Sequence, residues 1–172
     1  MGKNRRNLVN LERNTFTLSI LIAALYTVLT IILGPLSFSA IFQIRLSDSL
    51  IPLGYNRRVG KAAIFGTTLG ALVSNIFSFY GFYDLLIGSI ANFFASLIPY
   101  LLGSHKGFFA KIVATTLSCA TIIFFVGFIL FNQILRLPLE SSIASIAFGS
   151  TISIILLGTL LLLALEKVLS EK

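Results

Sequence analysis

Charged and chemically reactive side chains are scarce in this sequence. Only 11% of its 172 residues are charged and 56% are hydrophobic, whereas roughly a quarter of the residues in a globular domain are charged. A single cysteine, Cys119, and a single histidine, His105, exclude a disulfide framework and a multi-histidine metal site. No phosphate-binding G-x-x-x-x-G-K-[ST] loop, histidine–carboxylate zinc motif or nucleophile elbow is present. We therefore predict a protein that is not an enzyme and holds no cofactor or metal.

Long charge-free stretches fill most of the chain instead. Five of them, each as long as the about 20 residues that cross the hydrocarbon core as a helix, lie at 14–44, 62–83, 85–104, 112–135 and 141–165. A shorter stretch between Arg45 and Arg57 contains Pro52 and predicts a short, bent helix that begins a few residues before Arg45. The pattern predicts an all-α integral membrane protein with a single domain over residues 1–172. Its parts are a basic cytoplasmic segment at 1–14 and six spans at about 15–33, 42–56, 60–80, 84–103, 110–132 and 140–165.

The net charge of +7 is distributed as membrane topology requires, so we do not expect nucleic acid as a partner. Six spans with both termini in the cytoplasm place 11 of the 13 lysines and arginines inside, leaving only Arg45 and Arg136 outside. Without the short helix, every loop after Arg58 changes sides and the bias disappears. We predict a multi-pass protein of the cell membrane with cytoplasmic N- and C-termini.

Small residues recur every four positions in three spans. Such stripes allow close backbone approach, which matters because lipid gives helices no hydrophobic reason to associate. Two interpretations stay open: packing within this chain, or, for the first span, contact with another membrane protein. The stripes are Ser19, Ala23 and Thr27; Ala62, Gly66, Gly70 and Ser74; and Ala91 and Ala95.

Six polar side chains fall where a membrane span should have none. A charge in a span costs at least about 2.5 kcal/mol, so each needs a partner or a function. Under the predicted topology all six map to the outer half of the bundle, although they come from four separate stretches of chain. These candidate substrate-binding residues are Gln43, Arg45, Asp48, Asn75, Asp84 and Asn92.

Structural alternatives exist for each of these residues. Arg45 and Asp48 could neutralise each other, Asp84 could be a helix N-cap, and the two asparagines could form interhelical hydrogen bonds. The gathering of all six residues at one membrane face favours a binding site. The nearby aromatic residues would suit a flat polar ring as ligand, although an interfacial aromatic belt also explains them; they are Phe42, Tyr80, Phe82 and Tyr83. Arg136 and Glu140, four residues apart around Pro138, are predicted to form a surface pair.

Two short stretches resemble a known family. Residues 34–38 (GPLSF) and 43–50 (QIRLSDSL) resemble the QueT family of queuosine-precursor transporters, whose pattern is P-x-S-F…Q-x-R-[IL]-S-[ED]-x-L. Asp48 stands where glutamate is frequent. The likeness continues through Gly66, Gly70 and Asn75 and covers about residues 23–102, while the last two spans match in length and hydropathy.

The resemblance implies a substrate-binding S component of an energy-coupling factor (ECF) transporter, with an S-component-like six-helix bundle and an outward-facing site. It implies as partners a transmembrane coupling subunit, contacted by Ser19, Ala23 and Thr27, and two ATPase subunits. The implied substrate is a 7-deazaguanine such as 7-aminomethyl-7-deazaguanine or queuine. The alternatives are an S component for another vitamin-like solute and a non-transporting membrane scaffold protein.

Overall fold

The computed structural model describes residues 2–39, 42–103 and 107–170, with side chains described from residue 14 onward. The described chain is helical, without strands, as the sequence predicts. Two single helical turns, Gly34–Ser37 and Asn75–Phe77, lie between the main elements. The six main helices are α1 Gly2–Ile32, α2 Leu46–Tyr55, α3 Gly60–Ser74, α4 Gly81–Leu102, α5 Phe108–Ile134 and α6 Leu139–Ser170.

Four of these helices are long and apolar enough to cross a membrane. Within α1 the suitable part is Asn14–Ile32, and α4, α5 and α6 qualify over their full lengths. A 3₁₀-helix of the length of α2 covers about 20 Å and an α-helix of the length of α3 about 22 Å, less than the roughly 30 Å of a hydrocarbon core. The count of six spans therefore stays a prediction.

The short helix α2 occupies the centre of the bundle. It is wound as a 3₁₀-helix around Pro52, and most of its residues are buried. It contacts all five other helices, so its irregular backbone is covered by protein and not by lipid. The expectation that this helix begins before Arg45 is wrong, because residues 42–45 are not helical and Leu46 is its first residue.

Two helices change their winding partway along. α5 is α-helical to Ile122 and π-helical over Ile123–Ile134, and α6 contains a π-helical segment, Thr151–Gly158. π-Helical segments occur frequently at functional sites. Both helices supply part of the wall of the cavity described below.

The stripe on α3 packs against α1 within the chain. A Cβ atom at Gly66 would lie 2.6 Å from Cβ of Ile22, and one at Gly70 would lie 2.6 Å from Cβ of Tyr26. Because these approaches are too close for any side chain, the glycines determine how near the two helices come.

The predicted partner-contact residues on α1 lie on this covered face. Ser19 and Ala23 are buried, and Thr27 donates a hydrogen bond through Oγ1 to the Gly70 carbonyl oxygen at 3.2 Å. In this arrangement the stripe on α1 packs within the chain, which is the first of the two interpretations given above. Contact of these three residues with a coupling subunit would require α1 to move away from α3, and it stays a prediction.

Basic side chains gather at one end of the bundle. Arg58, in the loop between α2 and α3, donates to the Leu169 carbonyl oxygen near the end of α6 at 3.3 Å. Lys111 near the start of α5 forms an ion pair with Glu166 of α6. The α2–α3 loop, the start of α5 and the end of α6 therefore lie side by side.

The predicted surface pair between Arg136 and Glu140 is wrong. Both side chains are exposed, and within the described part of the chain they form no ion pair. Arg136 has a positive φ of 59° in the turn between α5 and α6. His105 lies outside the described residues.

Candidate functional site

The six polar residues predicted from sequence all lie inside the bundle. None is more than 6% exposed. One hydrogen bond joins Asn75 to Asp84, and one ion pair joins Asp84 to Arg45. Gln43, Arg45, Asp48 and Asn92 line one cavity, so the four stretches of chain form one buried polar cluster. Because buried polar groups are unfavourable without partners, the contacts of each side chain decide what the cluster can bind.

Asp84, in the first turn of α4, connects three parts of the cluster. Its Oδ2 accepts a hydrogen bond of 2.5 Å from Oγ of Ser78 and lies 3.8 Å from Nη2 of Arg45. Asn75 Nδ2 donates to the Asp84 backbone oxygen at 3.0 Å. The guanidinium and carboxylate thus compensate each other's charge in the interior.

These contacts bear on the alternative interpretations of the six residues. Among the described residues the ion pair of Arg45 is with Asp84, and Asp48 interacts with the same guanidinium electrostatically at longer range. Tyr80, not Asp84, occupies the N-cap position of α4. The interhelical alternative holds for Asn75, which bridges the end of α3 and α4, but Asn92 bonds to Gly88 of its own helix.

Asp48 has a partner that the sequence analysis missed. The hydroxyl of Tyr26, on α1, donates to Asp48 Oδ1 at 2.5 Å, and the tyrosine is fully buried. One turn further along α1, Thr30 Oγ1 lies 2.7 Å from Oγ of Ser47. Tyr26 and Thr30 are four residues apart in an apolar span and so lie on one face of α1. This spacing was the sequence feature that could have predicted a polar contact there.

Three amide side chains of the cluster have fixed orientations. Each amide nitrogen donates to a backbone carbonyl: Gln43 to Ser37 at 2.8 Å, Asn75 to Asp84 at 3.0 Å and Asn92 to Gly88 at 3.2 Å. Since a carbonyl oxygen accepts and never donates, each nitrogen must face its carbonyl and each amide oxygen must point elsewhere.

Several of the remaining polar atoms have no partner. In the described part of the chain, no hydrogen bond reaches Gln43 Oε1, Asn75 Oδ1, Asn92 Oδ1 or Asp84 Oδ1. Nε and Nη2 of Arg45 also lack a hydrogen-bond acceptor, although Nη2 lies 3.8 Å from Asp84 Oδ2. Buried polar atoms in native proteins nearly always have hydrogen-bond partners, so water or a ligand would have to supply them here.

A small cavity lies beside the cluster, with polar groups on one side and apolar groups on the other. The centre of a water molecule can occupy about 10 Å³ of it, so the cavity has room for about one water molecule. Its apolar wall comes from α5 and α6, which the sequence analysis did not include in the site. Its lining consists of Gln43, Arg45, Asp48, Asn92 and Ser150, opposite Ile122, Val126 and Ile146.

The non-helical segment 42–45 is held against α6. The Gln43 backbone nitrogen donates to Oγ of Ser145 at 3.1 Å. A Cβ atom at Gly149 would lie 1.7 Å from the Gln43 carbonyl oxygen, so only glycine permits this contact. Ser145 and Gly149 therefore determine where Gln43 and Arg45 enter the cluster.

The four nearby aromatic residues divide into two groups. Tyr80 donates through its hydroxyl to the Phe38 carbonyl oxygen at 2.9 Å, and the Arg45 guanidinium lies 5.5 Å from the centre of the Phe38 ring. By contrast, Phe42, Phe82 and Tyr83 are each more than half exposed. The exposed group fits the interfacial belt, and Tyr80 alone of the four borders the cluster.

Comparison with known proteins identifies the family. Searches against curated proteins and against solved structures returned no match. A family model described as QueT transporter matches residues 16–167, which includes the last two spans as well as the motif stretches. The match confirms the resemblance carried by residues 34–38 and 43–50. The chain belongs to the QueT transporter family.

Proposed function

We propose that this chain is the substrate-binding S subunit of an ECF-type transporter that imports a 7-deazaguanine queuosine precursor. The observation that carries the proposal is the buried cluster in which four acceptor oxygens, and Nε and Nη2 of Arg45, have no hydrogen-bond partner. Membership of a transporter family supports a small-molecule substrate and a membrane location. On this proposal the chain binds its substrate and performs no chemistry on it.

The chemistry of a 7-deazaguanine complements this site. The ring offers N–H donors at N1, at the exocyclic amine and at the pyrrole nitrogen, and one carbonyl oxygen as acceptor. Asp48, with the amide oxygens of Gln43 and Asn92, supplies acceptors at the cavity, and Arg45 supplies a donor for the carbonyl. The apolar side chains of α5 and α6 would pack on the ring face.

A ring of this size requires the cavity to widen. The space beside the cluster holds about one water molecule, so the lining side chains must separate before a purine-sized ligand enters. Segment 42–45 carries Gln43 and Arg45 and is not helical, so its displacement would break the Gln43–Ser145 and Ile44–Leu36 hydrogen bonds but none within a helix. Asp84, whose backbone oxygen Asn75 contacts, is the carboxylate that pairs with Arg45.

The orientation follows from the positions of the basic residues. The end of the bundle that carries Arg57, Arg58 and Lys111 would face the cytoplasm, as the positive-inside rule requires. The site would then open outward, and both termini would be cytoplasmic. Because the sequence has no phosphate-binding loop, the energy for import against a gradient would come from a partner or an ion. The family resemblance favours partners, namely a transmembrane coupling subunit and two ATPases.

Titration calorimetry of the purified protein with 7-aminomethyl-7-deazaguanine, queuine and guanine tests the substrate. We expect both 7-deazaguanines to bind more tightly than guanine. Mass spectrometry of small molecules that co-purify in detergent provides an independent identification. Binding of an unrelated vitamin-like solute, with none of a 7-deazaguanine, would overturn the substrate and keep the transporter subunit. Absence of any bound or co-purified solute would favour the scaffold alternative.

Labelling of single cysteines in whole cells tests the orientation. A cysteine in place of exposed Arg57 should react only after the membrane is permeabilised, and one in place of Phe79, which is 84% exposed, should react from outside. Native Cys119 is buried and provides the background control. Reaction of both positions from the same side contradicts a six-span bundle.

A further inference from the structure

The basic end of the bundle contains a groove that the proposed function does not use. Two adjoining cavities, about 280 and 330 Å³ in volume, share Asn56, Arg57 and Glu166 in their linings and so form one groove. Gly103, Gly107 and Lys111 line one part of it, and Arg58 and Leu169 line the other. The groove is therefore bordered by the α2–α3 loop, by Gly103 and Gly107 at the ends of α4 and α5, and by the end of α6.

Positive charge in this groove exceeds what its own carboxylate neutralises. Glu166 is paired with Lys111. Within the described residues, neither Arg57 nor Arg58 forms an ion pair with a carboxylate. Among the described residues that line the groove, three cationic side chains and one anionic side chain give a net charge of +2, which favours an anionic ligand.

Both arginines are held in place by protein contacts. The Arg57 guanidinium lies 5.2 Å from the centre of the Tyr100 ring, and Arg58 Nη1 donates to the Leu169 carbonyl oxygen. Each contact leaves other guanidinium N–H groups free to donate to an oxyanion. Arginine presents five donors in a rigid fork that matches the geometry of phosphate.

Three exposed apolar residues are next in sequence to residues that line the groove. Phe108 and Phe109 follow Gly107 directly and are 60% and 80% exposed, and Val168, next to Leu169, is 54% exposed. A soluble phosphate would gain nothing from such neighbours. A phospholipid would place its headgroup in the groove and its acyl chains along these side chains.

We infer that this groove binds the phosphodiester headgroup of an anionic phospholipid at the membrane surface. Arg57 and Arg58 bind the phosphate, and Lys111 adds to the potential while paired with Glu166. The inference requires only that the chain is a membrane protein, so it stands apart from the identity of the transported substrate.

Native mass spectrometry of the purified protein tests this inference, with phosphatidylglycerol and phosphatidylcholine of the same acyl chains as probes. The parent protein should retain phosphatidylglycerol preferentially. Each neutralised arginine near the surface should weaken its binding about fivefold, and the double variant Arg57→Gln/Arg58→Gln about 25-fold. Lys61→Gln is the matched control, because Lys61 is exposed in the first turn of α3 and lines neither cavity.

Three outcomes would overturn the inference. If the parent protein retains both lipids equally, the inference fails whatever the variants show. An acidic segment of another protein would then be the expected ligand of the groove. Equal losses in Lys61→Gln and in Arg57→Gln would reduce the effect to general surface charge. Displacement of phosphatidylglycerol by millimolar inorganic phosphate would assign the groove to a soluble anion.

Discussion

The polar cluster and the α1–α3 interface are both buried, but they differ in how tightly they pack and in how many polar atoms they leave without hydrogen bonds. Between α1 and α3, glycines at 66 and 70 bring the backbones together, and the interface contains little that needs a hydrogen bond. In the cluster, by contrast, four acceptor oxygens and two guanidinium nitrogens lack hydrogen-bond partners. A bundle needs close packing to hold together in lipid, whereas buried polar atoms without hydrogen bonds destabilise it. The proposed site would explain why the chain keeps them.

Tyr26 belongs to both regions. Its ring packs where Gly70 makes room on α3, and its hydroxyl donates to Asp48. Packing between α1 and α3 therefore also positions a carboxylate of the candidate site. Four substitutions, given in order of decreasing expected effect on the affinity for a 7-deazaguanine, separate the two roles.

Gly149→Ala should have the largest effect. A methyl group there would lie 1.7 Å from the Gln43 carbonyl oxygen, so segment 42–45 must leave α6 and carry Gln43 and Arg45 with it. We expect the affinity measured by calorimetry to fall at least about a hundredfold, because several directional contacts are lost together.

The matched control for this substitution is Gly127→Ala on α5. A Cβ atom at Gly127 meets its nearest neighbours at 3.6 Å, an ordinary contact distance. Its affinity should stay near that of the parent protein. Equal affinities for both variants would show that segment 42–45 does not position the site.

Asp48→Ala should weaken binding about tenfold to a hundredfold, since a hydrogen bond to a charged group contributes about 1.5–3 kcal/mol. The substitution also leaves the Tyr26 hydroxyl without its acceptor. Glu140→Ala, which removes an exposed carboxylate, is the control and should bind as the parent does. A folded Asp48→Ala protein with parental affinity would make this carboxylate structural.

Tyr26→Phe should have a smaller effect, about threefold to tenfold in affinity. The phenyl ring keeps the packing against Gly70, while Asp48 loses one donor and becomes freer to turn. Calorimetry and thermal unfolding of the same sample separate the two contributions. A large fall in the melting temperature without a change in affinity would assign Tyr26 to packing alone.

Gly66→Ala should lower stability and leave affinity within about twofold of the parent. The added methyl group would lie 2.6 Å from Cβ of Ile22, and overpacking of this kind costs about 1–3 kcal/mol. A thermal shift assay in detergent measures the loss. Gly34→Ala is the control, because a Cβ atom there has no neighbour within 4 Å. Loss of affinity equal to that of Asp48→Ala would mean that the two regions are not separable.

Much of the fold could be predicted from the sequence because lipid imposes a simple rule. A backbone in the hydrocarbon core must satisfy its own hydrogen bonds, so long charge-free stretches become helices. The predicted spans at 15–33, 84–103, 110–132 and 140–165 accordingly agree with the observed helices to within a few residues, apart from the earlier start of α1 at Gly2 and the longer end of α6. This rule does not determine the positions of the shorter α2 and α3. Neighbouring helices surround α2, and close glycine contacts set the distance between α3 and α1.

From the sequence alone, the six polar side chains were predicted to lie together inside the bundle, because each is too unfavourable to face lipid. Their partners became known only from the folded arrangement of the helices. Arg45 pairs with Asp84 and not with nearby Asp48, and Tyr26 reaches Asp48 from α1. The sequence also did not indicate that apolar side chains of α5 and α6 form one wall of the cavity. Apolar faces of membrane helices are equally soluble in lipid, so composition does not reveal which of them meet, and close packing of small residues decides it.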